Sequence, residues 1–135
     1  MKVVGINGSP RKDGNTAILI RTLFTELNAA GIETELIQLS GRNLKGCTAC
    51  WKCMELKNGR CIMTDDYFNE CLETMIAADG IVLGSPVYSA GVTSQMKALI
   101  DRASIVLAAN KGLLRHKAGA VVTAVRRGGA ISAFD

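Results

Sequence analysis

The sequence predicts an α/β domain, a doubly wound parallel sheet with helices on both faces. Three observations carry that expectation. Short apolar runs alternate with helical patterns along the whole length, the pattern of successive βα units. The chain has 135 residues, 48% of them hydrophobic, enough to bury one core and arguing against a disordered tail. The first strand also runs into the first helix through a loop of small, polar and glycine residues, as expected where such a sheet presents its ligand rim.

Each element follows from its pattern. The first strand is Lys2 to Asn7, and the first helix runs from Thr16 to about Ala30, with Leu19, Leu23 and Leu27 as its apolar stripe and Gly31 as its stop. The second strand is Glu33 to Leu39. A loop over 40–64 then holds four of the five cysteines, and a loop that long in a compact domain is usually functional. The second helix is expected directly after Thr64, with Asp65 and Asp66 in its first turn, where acidic groups favour a helix N-terminus. Its apolar face reads Phe68, Cys71, Leu72, Met75 and Ile76. The third strand is Gly80 to Ser85, the third helix Ser94 to Ala109 and the fourth strand Ala118 to Val125, with another helix starting at Ala130. A sheet of this class normally has at least one more strand. Residues 1–135 therefore read as a single domain that is truncated at its C-terminus, or whose edge is completed by another element.

Composition excludes several classes. The formal charge is a modest +4, and only Arg126 and Arg127 adjoin among scattered basic residues, so no nucleic-acid stripe is present. No apolar run approaches the length of a membrane span, and Met1 to Val4 enter a strand without the regions of a signal peptide. A cytoplasmic protein is expected. In that reducing setting a cysteine cluster points to a metal or redox site before a disulfide framework.

The segment from Asn7 to Thr16 can direct backbone N–H groups and hydroxyls at an anion in front of a helix N-terminus. It fits neither GxxxxGK[ST] nor GxGxxG; one terminal phosphate suits it better than a pyrophosphate. An ordinary strand-to-helix turn, with Asn15 or Thr16 merely capping the helix, is the plainer reading. The loops that follow the third and fourth strands, Pro86 to Gly91 and Arg126 to Gly129, fall on the same rim.

Cys47, Cys50, Cys53 and Cys61 are spaced C-x2-C-x2-C-x7-C. Thiolates three residues apart can converge on the corners of one cubane, and four suffice for a [4Fe-4S] centre. Zinc, an empty thiol set and a disulfide stand as alternatives, although structural zinc sites usually pair two C-x2-C knuckles across a longer stretch. Gly59 permits the bend back to Cys61. Cys71, on an apolar helix face, reads as a small hydrophobe. Trp51 reads as a shield or an interface residue, and His116 as a solvated loop residue. Met54, Met63, Met75 and Met96 read as core or interface filling.

The motifs GSPRKDGNT and GSPVYSAGVTSQMKALIDR, with a strand ending AVRRGG, resemble the NADPH-dependent FMN reductase-like flavoproteins of the flavodoxin-like superfamily. With the cysteine motif added, the chain most resembles the iron-sulfur flavoproteins of anaerobic bacteria and archaea. The resemblance implies strand order 2-1-3-4-5, with the fifth strand missing from this chain. It implies that Ser9, Arg11, Asn15 and Thr16 hold the FMN phosphate and that Pro86, Val87, Tyr88, Ser89 and Gly91 line the isoalloxazine and ribityl chain. Arg126, Gly128 and Gly129 would face the ring's other edge. Elementary chemistry agrees in part: Pro86 fixes the chain as it leaves its strand, Gly91 permits close approach of a flat ring, and Tyr88 offers an aromatic face with a polar tip. Function is assigned to only one of Arg126 and Arg127.

The expected function is that of an FMN-dependent oxidoreductase passing electrons between FMN and a cysteine-bound cluster, with NAD(P)H among the candidate donors. No side chain is expected to act as acid, base or nucleophile. A cluster-free NAD(P)H-dependent reductase of FMN, quinones or similar acceptors is the alternative, and a non-enzymatic redox-sensing module a third reading. Small-molecule or protein redox partners are expected, a ferredoxin-like donor among them, together with assembly into a homo-oligomer, dimer or tetramer.

Overall fold

The computed structural model describes residues 1–134. Its elements run β1 (Lys2–Asn7), α1 (Asn15–Ala29), β2 (Glu33–Gln38), α2 (Lys52–Leu56), α3 (Phe68–Ala77), β3 (Gly80–Pro86), α4 (Ser94–Ala109), β4 (Ala118–Ala124) and α5 (Ala130–Phe134). The four strands form one all-parallel sheet in the order β2-β1-β3-β4. This is the expected doubly wound order for those strands; the expected fifth strand is not among the described residues. No helix there is long and apolar enough to cross a membrane.

Side-chain alternation along β1 divides the core. Val4 and Ile6 face a cluster built with α3 and α4, including Phe68, Leu72, Met96, Leu99 and Val106, all fully or almost fully buried. Val3 lies on the opposite face with Ile20, Phe24 and Val82. Parallel strands covered on both faces read as continuous apolar runs, which is why β1 is so clear in the sequence. On the α1 face, Gly5 and Gly84 let the helix sit close: a Cβ on Gly84 would stand 2.6 Å from Ile20 Cδ1, and one on Gly5 would stand 2.7 Å from both Ile20 and Phe24.

Three sequence expectations need correction. The buried face of α1 is Thr16, Ala17, Ile20 and Phe24, spaced i, i+4, i+8 with Ala17 beside them, whereas Leu19 is exposed and Leu23 and Leu27 only border the core. The leucine stripe lost because the two sheet glycines admit Ile20 and Phe24, leaving the leucines rotated toward the rim of the helix. Second, α3 begins at Phe68; Asp65 and Asp66 lie ahead of it. Asp66 is drawn out of the helix by its partners, accepting from Lys45 N–H at 2.8 Å and forming an ion pair with Arg102. Third, the 40–64 loop is interrupted by α2, flanked by left-handed Trp51 and Lys57. Gly31 does end α1, with φ +76, and its N–H donates to Asn28 O at 2.9 Å.

Candidate functional site

The carboxyl rim of the sheet carries a polar scaffold under the first loop. Asn7, the last residue of β1, donates from Nδ2 to Gln38 Oε1 at 2.6 Å and accepts on Oδ1 from Ser9 N–H at 3.0 Å. Gln38, the last residue of β2, donates from Nε2 to Ser9 O at 2.6 Å. Ser9 Oγ accepts from Arg11 N–H at 3.1 Å. From the other side, Gly8 N–H donates to Gly84 O at 2.7 Å and Thr93 Oγ1 donates to Gly8 O at 2.8 Å. The loop is thus fixed to β2, β3 and the start of α4. Sequence reasoning missed Asn7, Gln38 and Thr93, although polar residues closing two strands at the ligand rim were a usable signal.

The helix that this loop feeds begins at Asn15 after Gly14, and among the described residues no side chain caps it. The plain capping reading of Asn15 and Thr16 therefore fails. The first intrahelical bond is Ile18 N–H to Gly14 O, so the N–H groups ahead of it are free to meet an anion, aided by the helix dipole. They open on a cleft of about 530 Å³ lined by Ser9, Arg11, Gly14, Asn15, Thr16, Pro86, Val87, Tyr88, Ala124, Val125 and Arg126. That volume suits a mononucleotide-sized ligand. Polar groups of α1 face Val87, Tyr88 and Val125, an arrangement with one wall for an anion and another for a flat apolar ring.

Of the residues named from sequence, Ser9, Arg11, Asn15, Thr16, Pro86, Val87, Tyr88 and Arg126 line this cleft. Ser89, Gly91, Gly128 and Gly129 do not line it. Tyr88 and Gly91 close a tight turn through reciprocal backbone bonds of 2.8 and 3.0 Å, with Ser89 and Ala90 at φ +49 and +60. Gly129 supports that turn from behind: a Cβ there would stand 3.0 Å from Ala90 Cα and Val87 Cγ1. Gly14, Ala124 and Val125 are cleft residues that the sequence did not single out.

Thr93 also accepts from Met96 N–H at 3.3 Å, capping α4. Replacing it by alanine removes the cap and the donor to Gly8 O together. Thr93→Ala is expected to lower stability by about 1 to 2 kcal/mol, read from the urea midpoint.

A second pocket, small and open to solvent at Cys47 and Cys50, brings together Cys47, Cys50, Cys53 and Cys61 with Met63, Arg102, Ile105 and Val106. Among the described residues all five cysteines are free thiols, and no three candidate ligands converge on a single ion position. The disulfide reading is not realised. Ala49 and Trp51 have φ +52 and +59, alternating with residues of negative φ. Such alternation turns successive N–H groups to one side, a nest found at phosphate and iron–sulfur sites. Ala49 N–H donates to Cys47 Sγ at 3.4 Å, and hydrogen bonding from the Lys52 backbone lowers the Cys50 thiol below its ordinary value. Burial raises the Cys53 thiol. Four thiols in one pocket on an N–H-rich backbone fit a multi-iron cluster, whose ligands sit on separate corners, better than one tetrahedral ion. Cys71 is elsewhere, fully buried, its thiol pushed up by burial to about 12, as befits a core hydrophobe. Met75 and Met96 are core, Met54 is exposed and Met63 lines the thiol pocket.

Beneath that pocket lies Arg102, 1% exposed, paired with the fully buried Asp66 carboxylate and stacked over Phe68 at 4.1 Å. Its Nη1 also donates to Lys45 O at 3.0 Å, and Nη2 to Met63 O at 3.3 Å. Burial disfavours the charged guanidinium, yet Asp66 and Cys61 together raise its pKa.

Fold and cleft define an open parallel α/β domain with an anion-ready rim. The chain belongs to the NADPH-dependent FMN reductase family, which it matches over residues 1–135. It is 45% identical over 131 residues to an iron-sulfur flavoprotein of Methanocaldococcus jannaschii, covering 96% of this chain and 65% of the relative. It is 37% identical over 123 residues to an iron-sulfur flavoprotein of Methanosarcina thermophila, covering 91% and 62%. The chain thus spans slightly under two thirds of these relatives. Among solved structures, it shares its fold with an NADH:FMN oxidoreductase in apo form (TM-score 0.69, 20% identity, 99% of this chain and 63% of that one). It also shares it with an NAD(P)H:quinone oxidoreductase of Methanothermobacter marburgensis (TM-score 0.73, 14% identity, 95% and 65%).

Proposed function

We propose that this chain is the flavin- and cluster-carrying part of an FMN-dependent oxidoreductase that moves electrons between FMN and a [4Fe-4S] centre. The observation that carries the reading is the coexistence on one chain of an uncapped helix N-terminus in a mononucleotide-sized cleft and four thiols in a single pocket. The names of the sequence relatives support it. When bound, FMN would supply exchange between two-electron and one-electron transfers, and the cluster one electron at a time.

The chain's own residues bind and orient. Ser9, Arg11, Asn15 and Thr16 would hold the phosphate, with Pro86, Val87 and Tyr88 against the ring and Arg126 at its far edge. The turn of Ser89 and Gly91, with Gly129 behind it, would set the position of Tyr88. Cys47, Cys50, Cys53 and Cys61 would ligate the iron. No acid, base or nucleophile is assigned. NAD(P)H or a ferredoxin-like protein would serve as donor in a cytoplasmic setting. Trp51 and Ile62, which line the thiol pocket, and Met54 and Leu56 of α2 are all exposed apolar side chains, which supports assembly into a dimer or tetramer.

Anaerobic purification followed by flavin, iron and sulfide assay tests the reading. Flavin with about four irons per chain is expected. Flavin alone would point to a cluster-free reductase of FMN or quinones, zinc in place of iron would reassign the thiols, and a colourless protein would overturn the proposal. Thr16→Val, nearly isosteric at a buried position, is expected to weaken FMN binding about tenfold, the worth of one hydrogen bond to a charged group. Titration by flavin fluorescence reads this.

A further inference from the structure

Arg102 has five N–H donors in a fixed fork, and four of them belong to the terminal nitrogens, which make all of its bonds to Asp66, Lys45 O and Met63 O. The fifth, Nε–H, is buried and has no acceptor. An orphaned donor of this kind is costly, roughly 1 to 3 kcal/mol, and buried donors in native proteins are nearly always satisfied. The residue lines the thiol pocket together with Cys61, whose thiol helps to raise the pKa of the guanidinium. The neighbouring polar side chains are accounted for: Asn69 closes on the backbone of Cys61 and Met63, donating to their carbonyls at 2.9 and 3.2 Å and accepting from Cys61 N–H at 2.8 Å. Asp66 is committed to Arg102, Lys45 and Phe68, and the half-buried Asn110 to Gly59 and Val106.

From this we infer that Arg102 is a positioning residue for the cysteine-bound group: its free Nε–H donates to the Cys61 sulfur when that sulfur is ligated as a thiolate, and its charge raises the reduction potential of the cluster. The inference rests on the cluster reading of the four thiols. Hydrogen bonds to ligating sulfurs and nearby positive charge are two of the levers that set such potentials, because both favour the more negative, reduced form. The site is rigid. Arg102 stacks on Phe68 and is gripped at both terminal nitrogens, so the donor stays fixed as the electron arrives and no reorganisation is needed. A guanidinium suits this role better than an ammonium would, since it cannot lose its proton and its fork divides between a carboxylate on one side and a sulfur on the other.

The test is the midpoint potential, followed by EPR during redox titration of the anaerobically reconstituted full chain. Arg102→Lys keeps a charge but lacks Nε–H. Because the single variant leaves Asp66 with an imperfect partner, Asp66→Leu combined with Arg102→Met removes both charges with apolar groups and protects folding. Each is expected to favour the oxidised cluster about tenfold, a fall of about 59 mV for a one-electron couple. Asp66→Asn, which keeps Arg102 and strips its counter-charge, is expected to displace the potential in the opposite direction. That sign reversal would not come from loosened packing. A cluster with an unchanged potential in all three variants overturns the assignment while leaving the cluster reading intact; in that case a water satisfies Nε. Wild-type chain that takes up no iron overturns both.

Discussion

Asp66→Ala is expected to lower the stability of the folded chain by about 3 to 5 kcal/mol, the cost of leaving a buried charge without its partner. Arg102 is 1% exposed and the Asp66 side chain not at all, so solvent cannot rescue the survivor. The same carboxylate also accepts from Lys45 and Phe68 N–H groups, which tie the cysteine loop to the start of α3. Burial pushes Asp66 up, but Arg102 and those two N–H groups outweigh it and hold it below the ordinary carboxylate range. A carboxylate held low stabilises the fold above its unfolded value of about 3.9, and that contribution is lost as the pH falls through the lower folded value. Wild type is therefore expected to lose stability below about pH 4, and Asp66→Ala to lose less of what remains to it. Urea unfolding across pH 2 to 7 measures both effects.

Gly84→Val is expected to be nearly as damaging, and to act on the opposite side of the sheet. The first added carbon would already stand 2.6 Å from Ile20 Cδ1 and 3.0 Å from Thr16 Cγ2, and valine adds two more in a space that holds none. Overpacking of this kind costs typically 1 to 3 kcal/mol, and a branched residue at such distances belongs at the upper end, about 3 kcal/mol. The strain relaxes by lifting the first turn of α1 from β3. Since the N–H groups of that turn face the cleft, FMN affinity should fall with stability, whereas iron content should hold. A variant as stable as wild type, with unaltered flavin titration, would show that α1 does not rest on Gly84 as described.

Much of this architecture was readable from residue patterns because parallel strands covered on both faces leave unbroken apolar runs. β1 and the limits of α4 are where the patterns put them, and the four thiols line one pocket. What escaped did so for definable reasons. The leucines of α1 made a plausible stripe, but helix orientation was decided by Gly5 and Gly84, residues distant in sequence whose meaning is visible only when the helix lies over them. Asp65 and Asp66 carried the local chemistry of a helix start, and a tertiary partner, Arg102, overrode it for Asp66. The cleft's scaffold of Asn7, Gln38 and Thr93 is built from side chains 31 and 85 positions apart in their bonds, which no window along the chain can join. Ser89, Gly91 and Gly129 shape the turn that carries Tyr88 and, like Gly128, stand back from the cleft itself.

Helix α4 reaches the flavin loop through Thr93 at its cap and the thiol pocket through Arg102, nine residues farther on, about 14 Å along its axis. One stiff rod is thereby common property of the cleft and the thiol pocket. A change that tilts it, even at Leu99 midway between, will disturb both sites in the same stroke, so neither is free to evolve without consent from the other.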